Sequence, residues 1–273
     1  MSTLRLEIGN REIQVDTQRP IDISIPLLFD GEQPEFFGAP TAKRETLSID
    51  DFTGDTREGG SCNVATYSLT PHCNGTHTEC LGHIVHDEMH VPDIVPGGLF
   101  PATLITLEPQ TAARSRESSL PNPRPTDRMI TAKAIKTALE DFSDELMYPA
   151  LIIRTMPNSE SKAAMKYRAD DPPPFLSIEA ASLLVELDVQ HLLVDVPSVD
   201  RMDDGGRLTA HHVFWEIPPF ERDRASSTRD HCTITEMIYV TDVVPDGYYL
   251  LDLQMPPFMA DAAPSRPLIY QVI

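Results

Sequence analysis

Short apolar runs, separated by segments rich in Pro and charged residues, constrain the fold of this chain more than any other feature. Each run has the length of a buried β-strand, and none approaches the roughly 18 apolar residues of a membrane span. The runs occupy residues 103–107, 150–155, 192–196, 247–255 and 268–273. We therefore expect a sheet whose strands are largely buried.

A β-hairpin is predicted at the N-terminus. Apolar and polar residues alternate over residues 4–8 and again over 13–15, on either side of a Gly9-Asn10 turn. This alternation is typical of half-buried strands. The next apolar run, residues 21–29, leads into a loop rich in Gly, Pro and Phe.

Two amphipathic helices are predicted, each preceded by a capping residue. Thr131 and Ser177 are the expected N-caps, and the apolar residues that follow recur at helical spacing. The predicted buried faces are Ile135, Ala138, Leu139 and Phe142 in the first helix, and Ile178, Ala181, Leu184 and Val185 in the second. Residues 108–127 are expected to form a surface loop rather than a linker. Strands outnumber helices, so the sequence predicts one mixed α/β domain over residues 1–273.

The net charge excludes two classes of partner. The chain has 22 Lys and Arg residues against 42 Asp and Glu residues, a formal charge of −20. A field of this sign repels nucleic acid and anionic membranes. The first residues lack the apolar core of a signal peptide. Four cysteines are too few for a disulfide framework in a chain of this length, so we expect a cytoplasmic protein with free thiols.

The histidines are concentrated in one segment. Five of the nine lie between His72 and His90. Residues 71–83 contain six side chains with metal-binding chemistry, namely His72, Cys73, His77, Glu79, Cys80 and His83. Imidazole, thiolate and carboxylate are the ligands of zinc and related divalent metals. No paired CxxC motif occurs, so the mixed ligand set indicates a catalytic rather than a structural metal site.

The order of these residues resembles the metal-dependent cyclase family, which includes kynurenine formamidase and isatin hydrolase. The family motif His-x-Gly-Thr-His-x-Asp-x-Pro-x-His is similar to residues 75–83, Gly-Thr-His-Thr-Glu-Cys-Leu-Gly-His. Residues 21–27, Ile-Asp-Ile-Ser-Ile-Pro-Leu, resemble the family's first strand. Residues 197–200, Pro-Ser-Val-Asp, and 210–212, Ala-His-His, resemble two later landmarks.

The resemblance implies a role for each matching residue. His77 and Glu79 would bind a divalent metal, zinc or manganese, with Glu79 able to bridge two ions. His83 would be the general acid/base. His211 and Glu236 would bind a second ion, with His212 as the alternative to His211. The family's fold is a swivelling β/α/β architecture, and its members form homodimers or larger homo-oligomers.

The chain departs from the family motif at the first ligand. The residue four positions before His77 is Cys73, and His72 lies five positions before it. In an extended strand Cys73 would face the same side as His77, as a thiolate ligand. Alternatively, Asn74-Gly75 would form a bulge that turns His72 inward. We favour His72. Glu79 also replaces the usual Asp, and Leu81 the usual Pro.

The resemblance predicts hydrolysis of an amide-like C–N bond, with aryl formamides or cyclic amides as the substrate class. The metal would activate water and polarise the carbonyl, and His83 would carry the proton. Phe29, Phe36 and Phe37 are equally compatible with covering an aromatic substrate and with ordinary packing. Two alternatives stay open: a hydrolase of another small amide, lactam or ester, and a metal-binding protein without turnover.

Overall fold

The computed structural model describes residues 3–9, 11–142 and 148–273. Within these residues the chain forms eighteen strands and five short α-helices. The strands are β1 Thr3–Ile8, β2 Arg11–Asp16, β3 Ile21–Asp22, β4 Lys43–Thr46, β5 Ser48–Ile49, β6 Phe52–Thr53, β7 Ala65–Ser68, β8 His77–Cys80, β9 Leu99–Leu107, β10 Gln110–Thr111, β11 Arg128–Ile130, β12 Ala150–Thr155, β13 Phe175–Leu176, β14 His191–Val194, β15 Thr233–Glu236, β16 Gly247–Gln254, β17 Ala262–Pro264 and β18 Arg266–Gln271. The helices are α1 Pro71–Asn74, α2 Val91–Ile94, α3 Ala132–Leu139, α4 Ile178–Glu186 and α5 Thr209–Phe214.

A nine-stranded mixed sheet organises the fold, in the order β17-β8-β15-β14-β12-β9-β16-β18-β3. Its centre, β9, β12, β14 and β15, is parallel, and the strands on both sides of this centre pair antiparallel. All residues of β12 and β14 are buried, as expected where both faces of a parallel sheet are covered. The five predicted apolar runs all contribute strands to this sheet, which confirms the mixed α/β fold.

The two faces of the sheet pack against different apolar clusters. On β12, Leu151 and Ile153 point to one face, where they pack with residues of α3, α4 and α5. Ala150 and Ile152 point to the other face, where they pack with residues of β16 and with Ile23. Each fully buried aliphatic side chain contributes about 1.5–3 kcal/mol relative to an exposed one. Helices α3, α4 and α5 therefore cover the first of these faces.

Both predicted helix caps are present. The Thr131 side chain accepts a hydrogen bond from Ala134 N, and the Ser177 side chain accepts one from Ala180 N. Helix α4 buries a face that contains Ala181 and Leu184, as predicted. In α3 the prediction was wrong for Phe142, since the helix ends at Leu139. Phe142 N then bonds to Leu139 O, which is the tighter spacing typical of a helix end.

The predicted loop 108–127 is hydrogen-bonded to the starts of both α3 and α4. The Glu117 carboxylate accepts hydrogen bonds from Ala132 N and Lys133 N at the first turn of α3. It also accepts a 2.5 Å hydrogen bond from the Ser177 hydroxyl at the start of α4. The loop is therefore attached to the helical layer. Only its Gln110–Thr111 portion forms a strand, which pairs with β11.

The N-terminal hairpin is also confirmed. Strands β1 and β2 pair antiparallel, and Ile13 and Val15 pack against Leu250 of the central sheet. Of the apolar run 21–29, only Ile21–Asp22 is a strand. All four cysteines are free thiols. No helix in the described part of the chain is long and apolar enough to cross a membrane.

The pairing of β8 with β15 places the functional residues. The two strands are antiparallel, with His77 opposite Glu236 and Glu79 opposite Ile234. Residues directly opposite each other share a face of the sheet, as do alternate residues along one strand. His77, Glu79 and Glu236 therefore share one face with Ile234. Ile234 belongs to the same apolar cluster as residues of α5.

The buried His191 gives the fold a testable acid sensitivity. Burial lowers the pKa of His191 to about 4, and the charge of His231 adds to the shift. His191 is thus neutral in the folded protein, while in the unfolded chain it protonates near pH 6.5. Its contribution to stability is complete above pH 6.5 and is lost as the pH falls towards 4, up to about 3 kcal/mol.

We predict that His191→Gln reduces the acid sensitivity of unfolding. Gln can still bond to Thr233, the partner of the His191 ring at 2.9 Å. Urea denaturation at pH 7.5, 6 and 4.5 should show that the variant loses less free energy of unfolding than wild type. The exposed His86→Gln serves as the control and should follow wild type. Parallel wild-type and His191→Gln profiles would contradict the assignment.

Candidate metal centre

Helix α1 and strand β8 build the first half of the site. Pro71 occupies the first turn of α1, where its missing N–H costs nothing. The Asn74 side chain accepts a hydrogen bond from Thr70 N, and Gly75 ends the turn in an extended conformation. The two extended alternatives considered for this segment, a strand in register and a bulge, are both wrong. Residues 71–74 form a helical turn.

The helical turn separates His72 from Cys73. His72 Nδ1 lies 2.9 Å from Glu79 Oε2. The Cys73 side chain instead packs in an apolar cluster with Ile25, Phe36 and Met237. Burial raises the pKa of the Cys73 thiol, and the charge of Glu236 raises it further, which disfavours the thiolate that a metal requires. The geometry favours His72 over Cys73 as the first ligand.

His77 and Glu79 are buried at the centre of the site. His77 Nδ1 donates to Gly75 O at 3.0 Å, which turns Nε2 towards Glu79. His77 Nε2 and Glu79 Oε2 lie 3.9 Å apart, and neither makes a hydrogen bond of acceptable geometry within the described structure. The 2.9 Å contact of Glu79 Oε2 with His72 Nδ1 is an ion-pair contact. Buried polar atoms without partners are rare and call for an explanation.

His211 reaches the site from the first turn of α5. Its Nε2 lies 2.8 Å from Glu79 Oε1, and its Nδ1 lies 2.5 Å from Asp200 Oδ2. Asp200 also accepts hydrogen bonds from Ala210 N and His211 N, so it fixes both the helix start and the ring. The neighbouring His212 points elsewhere, towards Ile217 O and Arg222. The structure thus places His211, rather than His212, beside Glu79.

Glu236 completes the buried group from the end of β15. Its Oε2 lies 3.5 Å from His77 Nε2, and its Oε1 lies 4.0 Å from His211 Nε2. Val199 N donates to Oε1 at 2.7 Å, so the segment 197–200 orients this carboxylate. Residues separated by more than a hundred positions therefore converge on one point, as the resemblance implied.

His83 lies at the open side of the group. It ends a 3₁₀ turn, Leu81–His83, that follows β8 directly. The centroid of its ring is 4.2 Å from that of His72 and 5.5 Å from that of His211. Its side chain is 27 % exposed, whereas His77 is fully buried. A small molecule can therefore reach His83, whereas it cannot reach His77.

Asp261 is also part of this site, although no motif pointed to it. Its Oδ2 lies 3.1 Å from His72 Nε2 and 3.5 Å from His83 Nδ1. It lies just before β17, which pairs with β8. No spacing rule connects residues so distant in sequence, and only the sheet order brings them together.

The electrostatics of the site are those of a buried anion surrounded by imidazoles. Burial opposes ionisation of Glu79, but His83 and His211 outweigh it and hold the pKa of Glu79 well below its usual value. Burial likewise opposes a charge on His72, but the neighbouring carboxylates of Asp261 and Glu79 raise its pKa to about 10. Glu79 and Asp200 raise the pKa of His211 well above its usual range. Protons thus supply the positive charge around Glu79.

The donor atoms fit a divalent cation. Three groups each place their donor atoms within 4.8 Å of one another: His72, His77 and Glu79; Glu79, His83 and His211; and His72, His83 and Asp261. A cation between His77 Nε2 and Glu79 Oε2 would pair both of the unpartnered atoms. Each of the three imidazoles at Glu79 has its other nitrogen next to an oxygen (Asp261, Gly75 O or Asp200), the arrangement that orients metal-binding histidines.

A cavity of about 160 Å³ opens onto these residues. Phe36 and Phe37 line it together with His72, His83 and Arg201. Phe37 is 62 % exposed at its rim, whereas Phe36 is buried. Phe29 is not part of this lining and packs against Tyr67 instead. Of the three phenylalanines considered from the sequence, two are therefore in position to contact a bound molecule.

Residues 21–201 match the sequence profile of the Cyclase family. This range contains His72 to His83 and Asp200, but it ends before His211, Glu236 and Asp261. No curated protein gives a significant match.

Solved structures share the fold over nearly the whole chain. An isatin hydrolase bound to the product analogue thioisatinate has a TM-score of 0.61 at 14% identity, covering 93% of this chain and 92% of its own. Isatin hydrolase A from Labrenzia aggregata, bound to benzyl benzoate, has a TM-score of 0.61 at 16% identity, covering 93% and 94%. A predicted metal-dependent hydrolase from Bacillus stearothermophilus has a TM-score of 0.57 at 17% identity, covering 92% and 98%. The shared fold is the mixed α/β architecture that the resemblance implied.

We predict that metal-stripped protein binds zinc or manganese through His72, His77 and Glu79. His77→Ala and Glu79→Gln should each weaken binding by more than the roughly 10- to 100-fold seen when only the surroundings of a ligand change. Cys73→Ser should bind as wild type does, and the surface variant His90→Ala is the control. Metal content after dialysis, with competition against a chromophoric chelator, measures these affinities. Loss of metal in Cys73→Ser, with retention in His72→Ala, would reverse the choice of first ligand.

Proposed function

This chain belongs to the Cyclase family, and from that membership we propose that it is a metal-dependent hydrolase of amide-like C–N bonds. The observation that carries the proposal is a pair of buried atoms that make no hydrogen bond of acceptable geometry, His77 Nε2 and Glu79 Oε2, beside an open cavity. Mixed nitrogen and oxygen ligation that leaves room for a further ligand is typical of catalytic metals. Proteins of similar fold include an isatin hydrolase and a predicted metal-dependent hydrolase, which supports the same reaction class.

The residues divide into holders of the metal and a carrier of the proton. His72, His77 and Glu79 would hold one ion, and His211 and Glu236 a second. Bound there, a divalent ion would polarise a carbonyl and lower the pKa of a water molecule. The two oxygens of Glu79 face different imidazoles, His211 and His72, which suits a carboxylate shared between two ions.

His83 has the position expected of the general acid/base. It is partly exposed at the cavity, next to the proposed ligands but outside the fully buried group. It would take the proton from the attacking water and deliver it to the leaving nitrogen. The buried His77 could not exchange protons with a bound substrate in this way.

Phe36 and Phe37 favour an aromatic substrate. Their rings lie 3.9 Å apart, centroid to centroid, in the cavity lining beside His83. An aryl ring against them would gain both buried apolar area and ring–ring contact. We therefore propose aryl formamides, the kynurenine formamidase type of substrate, as the first class to assay.

Cyclic aryl amides are the second candidate. Two of the similar folds are isatin hydrolases, which act on a lactam fused to a benzene ring. The same residues would serve ring opening, because the bond that breaks is again an amide C–N bond. Relative kcat/KM for formanilide and isatin ranks the two candidates.

We predict that His83→Ala lowers kcat on the better substrate by roughly 100- to 10,000-fold, the usual contribution of a general acid/base. Its zinc content should stay close to that of wild type, because His83 is not among the proposed ligands. His90→Ala should retain full activity. Steady-state kinetics with zinc-loaded protein provide the measurement.

Two results would count against these assignments. Full turnover by His83→Ala would exclude it as the proton carrier. Failure of zinc-loaded wild type to hydrolyse either substrate would contradict the proposed function and would favour a metal-binding protein without turnover.

A further inference from the structure

The Asp261 carboxylate connects two parts of the site that have different proposed roles. One oxygen atom, Oδ2, contacts both the Nε2 atom of His72, at 3.1 Å, and the Nδ1 atom of His83, at 3.5 Å. His72 is a proposed metal ligand and His83 is the proposed proton carrier. Among the described residues, this carboxylate is the one shared between the two roles.

The backbone around the histidine segment is shaped to bring Asp261 close. Cys80 N donates to Asp261 O at 3.0 Å, which fixes the strand end beside β8. Gly82 has no Cβ, and a Cβ there would lie 3.2 Å from Asp261 Cβ and 3.0 Å from Met89 O. Both distances are tighter than ordinary contacts. The glycine between the proposed ligand Glu79 and His83 therefore permits the approach of Asp261.

The contacts determine which ring nitrogens carry hydrogen. An ionised carboxylate can only accept hydrogen bonds. His72 must therefore present Nε2–H to Asp261, which makes Nδ1, 2.9 Å from Glu79 Oε2, the nitrogen that would bind a metal in place of a proton. His83 must present Nδ1–H, which leaves Nε2 free to exchange a proton with substrate. A ring with the opposite tautomer could do neither task.

We propose that Asp261 is a positioning residue that fixes the tautomers of His72 and His83 together. One carboxylate thereby prepares the first ligand to bind the metal and the general acid/base to carry the proton. The 3.5 Å contact to His83 is long, as hydrogen bonds between such residues are before a substrate closes the site. This inference rests on the proposed function for the roles of the two histidines, but its test does not require turnover.

Three substitutions at Asp261 and one control distinguish loss of the hydrogen-bond acceptor from loss of side-chain volume. Asp261→Ala removes both, and Asp261→Leu keeps most of the volume without an acceptor. Asp261→Asn keeps an amide oxygen that can accept hydrogen bonds at the same position. Asp252→Ala is the matched control, since the Asp252 carboxylate bonds to Gln254 on β16 and not to a histidine.

The first readout is zinc affinity, measured by chelator competition on the full chain. Asp261→Ala and Asp261→Leu should weaken zinc binding by roughly 10- to 100-fold, the usual effect of removing the partner of a metal-binding histidine. Asp261→Asn should recover most of this loss, and Asp252→Ala should match wild type.

The second readout is the tautomer, measured by ¹⁵N NMR of histidine-labelled, zinc-loaded protein. The His83 signals are assigned by their loss in His83→Ala. In wild type and Asp261→Asn, His83 should carry its hydrogen on Nδ1. In Asp261→Leu the signal should move to the Nε2–H form that free imidazoles favour. A merely structural role would leave the tautomer unchanged.

Retention of the wild-type tautomer and zinc affinity in Asp261→Leu would overturn the proposal. Direct coordination of zinc by Asp261, seen as a bond of about 2.0–2.2 Å in the zinc-loaded structure, would also overturn it. Absence of hydrolysis by zinc-loaded wild type would instead contradict the proposed function, while both readouts would still be measurable.

Discussion

The Glu79 carboxylate is the constraint on which the site depends. It is buried on the face of the sheet that it shares with His77 and Glu236. Burial of a lone charged carboxylate would cost several kcal/mol of folding free energy. The structure therefore surrounds it with imidazoles: His211 faces one oxygen, while His72 and His77 face the other. The resulting arrangement of nitrogen and oxygen donors is one that could hold a divalent cation.

The sheet topology makes this concentration of charge tolerable. Strand β8 lies between β15 and β17, and both His77 and Glu79 have a register partner on each of these strands. The side chains are then held by short contacts from irregular segments, such as Val199 N to Glu236. A rigid strand thus supplies the donors, and the loops around it set their orientation.

The sequence predicted the mixed α/β fold and named residues that the structure brings together at one place, and it failed where geometry depends on distant partners. Short continuous apolar runs identified five of the nine sheet strands, and capped helical faces identified α3 and α4, because these signals are local. The choice between His72 and Cys73 could not be made by strand parity, since Pro71 starts a helical turn instead. Asp261 stayed hidden, because only the pairing of β17 with β8 brings it to His72. The metal roles of these residues are still predictions.

The central claim is that a divalent ion binds between His77 Nε2 and Glu79 Oε2, with His72 as the third ligand. Anomalous diffraction from zinc-loaded crystals, recorded on both sides of the zinc absorption edge, tests it most directly. We expect a peak about 2.0–2.2 Å from both atoms, with His72 Nδ1 at a similar distance. A peak confined to surface groups such as His90 and Glu88, or zinc bound through Cys73, would contradict the claim.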